Sequence, residues 1–160
     1  MALAVLMPIC VIIILLVRQT RKQAQRTRKK LSGLYEQIVS QQRLQIGFKD
    51  ELENKILALD ASGRTLVYIW YYGELMYDII DLNMITDCSI KRSGDRIPKG
   101  NNKLREEEVN RVSLSLSAMG VEIFDLLVYS ELNDGISEKI KLQEIAGSWQ
   151  QAIQRVIRKQ

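Results

Sequence analysis

Apolar and polar positions divide the chain into regimes with different periods. Residues 1–17 are wholly apolar (MALAVLMPICVIIILLV). Residues 18–30 are polar and basic. From Leu31 the apolar positions Leu31, Leu34, Tyr35, Ile38 and Val39 recur at three- and four-residue spacing, which predicts one face of a helix. The repeat fades at Gln41 and Gln42, and Gly47 is expected to end the helical run. Strand-type patterns follow. KILALD (55–60) and RTLVYIWYY (64–72) flank Ala61-Ser62-Gly63 and predict a hairpin. In the second of these strands Leu66, Tyr68 and Trp70 share one face. Gly73 and Glu74 mark a turn into a third strand at 77–80. A corner at Leu82, Asn83 and Met84 leads to a fourth at 87–91, and Asp81 is expected to bind backbone amides there. Residues 92–108, with Gly94, Pro98 and Gly100, read as a long polar loop.

Beyond that loop Val112, Leu114 and Leu116 alternate with Ser113, Ser115 and Ser117, the signature of a half-buried strand. Met119 and Gly120 turn it into a mostly apolar strand at 121–129. The last segment is helical. Leu142, Ile145, Ala146, Trp149, Ala152, Ile153, Val156 and Ile157 form one broad stripe. Ser137 or Asp134 is the expected N-cap, and Arg155, Arg158 and Lys159 suit the C-terminal dipole. A stripe of that width needs a surface to lie on, and the sheet provides it.

An antiparallel meander followed by one amphipathic helix resembles the pleckstrin-homology-like superfold, including its GRAM and bacterial versions. The resemblance rests on the opening hairpin KILALDASGRTLVYIW, on the corner within YDIIDLNMITDCSIKR, and on Trp149 in the closing helix. The chain is also similar to small bacterial membrane-anchored proteins of uncharacterised function. The resemblance implies an α+β fold: a PH-like antiparallel sheet or barrel of six to seven strands, closed by the C-terminal helix, with Trp149 as a structural residue. Lipid-binding members hold phosphates with basic residues on the first two strands and their loop. Here that loop begins with Asp60 and only Lys55 and Arg64 flank it, so no site is carried over.

Charge changes the picture at the N-terminus. Arg18, Arg21, Lys22, Arg26, Arg28, Lys29 and Lys30 follow the apolar run with no acid among them. The whole chain carries +4, so everything outside this segment sums to −3. A helix rises about 1.5 Å per residue and a bilayer core is about 30 Å thick, so a span of roughly 20 residues is needed; residues 1–19 approach that with Arg18 snorkelling. A cleaved signal peptide would place its basic residues before the apolar run, and Ile9 before Cys10 is wrong for a lipoprotein. Cationic loops stay on the cytoplasmic side. The expected organisation is therefore an anchor at 1–19, a basic juxtamembrane segment and helix at 20–45, and a PH-like domain at 46–160. The expected location is the inner cell membrane, single-pass, N-terminus out and C-terminal domain cytoplasmic. The seven cations are expected to contact anionic lipid, about 1 kcal/mol each near the surface. Nucleic acid is not expected as a partner. A second basic cluster, Lys91, Arg92, Arg96, Lys99, Lys103 and Arg105, reads either as a solvated loop or as a contact for anionic headgroups or an acidic partner.

Candidate chemistry narrows the field further. The chain has no histidine, which removes the commonest general base and metal ligand. Cys10 and Cys88 offer neither zinc spacing nor a disulfide framework in the body. Asp78, Asp81, Asp87, Glu122 and Asp125 lie among strand residues as solvated faces would. Ser113, Ser115 and Ser117 have no base to activate them. GDRIPKGNNK lacks the ending of a phosphate-binding loop. No catalytic, cofactor or metal site is expected. The expected function is a non-enzymatic, membrane-tethered adaptor or scaffold that engages a membrane-associated protein. An anionic-lipid-sensing domain is the alternative, and a small carboxylate-dependent hydrolase the remote one.

Overall fold

The structure is a computed structural model in which residues 2–60, 64–96 and 107–158 are described. The side chains of residues 2–17, 20, 21, 95, 96, 107 and 108 fall outside that description. The fold is α+β; the described residues form seven antiparallel strands in a four-stranded and a three-stranded sheet and a long C-terminal helix. The chain forms two compact units, Met1–Ile79 and Ile80–Gln160.

The first unit opens with helix α1, Ala2–Gln42, which runs through the apolar segment, the basic segment and the Leu31 repeat without a break. Among the described residues no helix is long and apolar enough to cross a membrane; the side chains of residues 2–17, the apolar part of the expected anchor, lie outside them. The Leu31 repeat buries its stripe. Leu31 and Ile38 pack with Ile56, Ala58, Val67 and Ile69, and Leu34 and Tyr35 flank them. α1 ends in a Schellman motif: Leu44 N donates to the Val39 carbonyl at 3.0 Å and Arg43 N to Ser40 at 3.3 Å. Arg43 takes the left-handed conformation this requires (φ 52°), and Leu44 folds back on the core.

Gly47, expected to end the helix, instead lies in strand β1 (Ile46–Glu51), where the register shifts between Ile46 and Phe48. A bulge suits glycine. β1 is a strand the pattern does not announce, because in IGFKDE only Ile46 and Phe48 are large apolar residues and the charged run Lys49-Asp50-Glu51 follows them. It pairs with β2 (Lys55–Asp60), which pairs with β3 (Thr65–Tyr72), followed in the sheet by β4 (Glu74–Asp81). The β2–β3 register, Asp60 opposite Thr65, matches the expected hairpin. Every residue of β2 is buried. Tyr68 and Trp70, on one face of β3, stack with ring centroids 4.7 Å apart. Asp60 accepts from Gln45 N at 3.0 Å, tying the hairpin to the chain leaving α1.

In the second unit Asp81 makes the expected corner. Its Oδ1 accepts from Asn83 N at 2.9 Å and from Asn83 Nδ2 at 2.8 Å, capping a single 3-10 turn at Leu82–Met84. The sheet order is β5 (Asp87–Arg96), β6 (Glu107–Ala118), β7 (Val121–Ser130). β5 runs farther than the expected 87–91. Its polar end, Arg92 to Arg96, is held by ladder pairing with Glu107 to Val112 rather than by alternation of apolar residues. Met119 and Gly120 both have positive φ (51° and 78°), and Ala118 faces Val121 across them. That is the backbone of a two-residue hairpin. A short helix α2 (Glu131–Asp134) leads to α3 (Lys139–Ile157). Neither expected residue caps α3, whose N-cap position is Glu138. Asp134 instead accepts from Ser130 N at 2.8 Å, across α2. α3 packs against β5, β6 and β7 and buries Leu142, Ala146, Trp149 and Ile153. Gln150 and Gln154 donate to the Cys88 carbonyl at 3.2 and 2.9 Å, occupying an acceptor on a strand at the end of its sheet.

Candidate functional site

The basic segment has a definite geometry because it is helical. At 3.6 residues per turn its cations fall on different faces. Lys22, Arg26, Lys29 and Lys30 come together along one side. With Gln19, Gln23 and Thr27 between them, and Tyr71 of β3 opposite, they line a cavity of about 650 Å³. Lys30 Nζ stands 5.4 Å from the centroid of the Tyr71 ring, within cation–π range. Arg28 points elsewhere, into a smaller cavity of about 110 Å³ beside Leu31, Glu51, Leu52 and Ile56. Arg18 is exposed, and the side chain of Arg21 lies outside the described residues. Gln19, Gln23, Thr27 and Tyr71 were not singled out by the sequence. The three helical residues could have been, from their spacing to the cations. Tyr71 could not, because only the packing of α1 on the sheet brings it there.

The second basic cluster is not assembled among the described residues. Lys91 stands on β5 within the expected strand, and Arg92 follows on the same strand rather than in a loop. Arg92 is exposed, and Lys91 is ion-paired with Glu122. Arg96 ends β5 with its side chain outside the description; Lys99, Lys103 and Arg105 lie outside the described residues altogether.

The serine row forms the polar face of the second sheet. Ser115 Oγ donates to Glu122, which Lys91 also contacts. Arg111 Nη2 donates to Asp125 Oδ2 at 2.6 Å. The hydrogen bonds from Lys91 and Ser115 hold the Glu122 carboxyl below the ordinary carboxylate range. A carboxylate stabilised in this way is a poor proton acceptor, and Ser115 is buried. The arrangement suits sheet cohesion better than nucleophilic attack. Asp78 is shifted the other way, raised by partial burial. Cys88 is buried, and burial together with the neighbouring Asp87 pushes its thiol up to about 12, the opposite of an activated thiolate. Among the described residues, no three cysteine, aspartate or glutamate side chains stand close enough to hold a metal ion. Trp149 is buried at the centre of the α3 stripe. Comparison with family models, with curated proteins and with solved structures finds no match.

Proposed function

We propose that the protein is a single-pass, membrane-tethered interaction module, held at the cytoplasmic face and acting without catalysis. The observation that carries this reading is the continuity of α1. One helix joins the apolar segment to the basic segment and ends packed into the core of the first unit through Leu31 and Ile38. An anchor joined by a helix rather than a linker keeps the folded units within a thin layer beside the bilayer. That confinement raises their effective concentration toward other membrane proteins without any new contact. The element order among the described residues, seven antiparallel strands in sheets of four and three followed by a helix burying Trp149, is compatible with a PH-like body. Exposed apolar side chains, Met76, Tyr77 and Ile79 on β4 and Leu132, Ile136 and Ile140 around α2 and the start of α3, offer contact surface.

The test uses the full chain in its own membrane. It should resist alkaline carbonate extraction, and a reporter fused behind Gln160 should be cytoplasmic. A photo-crosslinker at Tyr77 or Ile140 should capture a discrete membrane protein, and replacing residues 2–17 with a soluble helix should abolish that capture. A chain released by carbonate, or a capture unaffected by loss of residues 2–17, would refute the tethered module.

A further inference from the structure

Four of the seven juxtamembrane cations share one side of α1. Lys22, Arg26 and Lys30 follow at four-residue intervals, and Lys29 lies three beyond Arg26, so they stack in neighbouring turns. No acid occurs between Arg18 and Glu36. Like charges at this spacing oppose the helix that carries them, so an anion seated among them would stabilise it. The cavity they line, about 650 Å³, is of the size that holds small ligands, about 300–1,000 Å³.

Two features separate this place from a diffuse basic surface. It has a wall from another element: Tyr71 on β3 faces the helix and Lys30 rests over its ring. It also has neutral donors, since Gln19, Gln23 and Thr27 alternate with the cations along the cavity and can bond oxygens lying between charged groups.

We infer that this cavity binds one multiply charged, phosphate-bearing polyanion. A monoanionic phosphodiester would leave most of the four cations uncompensated; a ligand with two or more phosphate groups would not. Lys22 and Lys30 are separated by about 12 Å along the helix, so the phosphates of one ligand can spread over that length. Charge-assisted hydrogen bonds from lysine and arginine to phosphate oxygens supply the affinity. A lipid headgroup and a soluble polyphosphate share this chemistry. The inference deepens the tethered reading by giving the helix a ligand, and it rests on that reading only for the headgroup as source.

The full chain in nonionic micelles is titrated with sodium tripolyphosphate. The same chain in phosphatidylcholine nanodiscs containing cardiolipin is examined by native mass spectrometry, which counts the cardiolipin retained per chain. Saturable one-to-one binding is expected in at least one arm. Binding of tripolyphosphate identifies a soluble source; retention of cardiolipin alone identifies the headgroup. The variant K22Q/R26Q/K29Q/K30Q should weaken binding at least about tenfold, whereas R18Q/R28Q/R43Q/R158Q, which removes the same charge elsewhere, should weaken it no more than about twofold. Tyr71→Ala should cost about threefold by removing the wall under Lys30. Equal losses in the two charge variants, or no saturable binding in either arm, would overturn the site. A chain that carbonate extracts but that binds tripolyphosphate would refute the tether and leave the site standing.

Discussion

Replacing Leu31 with alanine removes an isopropyl group from a side chain that is 1% exposed and packed against Ile56, Ala58, Val67 and Ile69. Those neighbours belong to two paired strands whose ladder fixes their positions, so the sheet side of the hole cannot collapse. The helix side can shift, since the outer face of α1 at Glu36 and Gln37 is exposed. Buried Leu→Ala changes cost about 2–5 kcal/mol depending on how far the site relaxes. Partial relaxation places this one at about 2–4 kcal/mol. The assay is hydrogen exchange with mass spectrometry on the full chain in micelles, reading the amides of β2 and β3. At about 1.4 kcal/mol per factor of ten, their exchange should accelerate roughly 30- to 1,000-fold. Glu36→Ala, on the exposed side, should leave it nearly unchanged, within about 0.5 kcal/mol. Acceleration below about threefold for Leu31→Ala would show that α1 is not part of the core of the first unit, and the proposed tethering of the folded body through α1 would lose its support.

Glu122 is held below the ordinary carboxylate range by Lys91 and Ser115, so the stability it contributes is full at neutral pH and disappears as acid protonates it; Glu122→Gln should flatten the acid limb of the urea midpoint against pH, and an unchanged limb would contradict the pairing. Cys88 behaves in the opposite sense. With its thiol pushed up to about 12, the stability it contributes is full below the unfolded value of about 8.5 and is lost as pH rises from there through 12. In a Cys10→Ser background, a thiol reagent at pH 8 should label native Cys88 roughly a thousandfold more slowly than the denatured chain; a difference under tenfold would count against burial. Asp81→Ala should lower stability by about 0.5–2 kcal/mol, the usual loss for a capping side chain, and Asp81→Asn should restore most of it in urea titration; equal losses for both would mean that the Asn83 amide bond contributes nothing.

Elements whose side chains state their own period were legible in the order of residues alone. The serine–aliphatic alternation of β6, the Met119-Gly120 hairpin, the α3 stripe around Trp149 and the Asp81 corner are local: each depends on spacing or turn chemistry within a few residues, and each stands in the structure. The clustering of seven cations behind an apolar run is equally plain in the chain. The remaining features follow from contacts between residues distant in the chain. β1 and the polar end of β5 are strands because a neighbour offers them a ladder, and their mixed residues carry no alternation to reveal it. Gly47 reads as a helix stop, yet the stop is Arg43, forced left-handed when Leu44 turns back onto the core. Ser115 and Lys91 meet on Glu122 only across three paired strands. Tyr71 faces Lys30 only because the Leu31 stripe docks α1 on the sheet. Composition places the charge along the chain, but burial of that stripe selects which cations converge and what wall they converge against, since contacts between distant residues follow from packing rather than from local spacing.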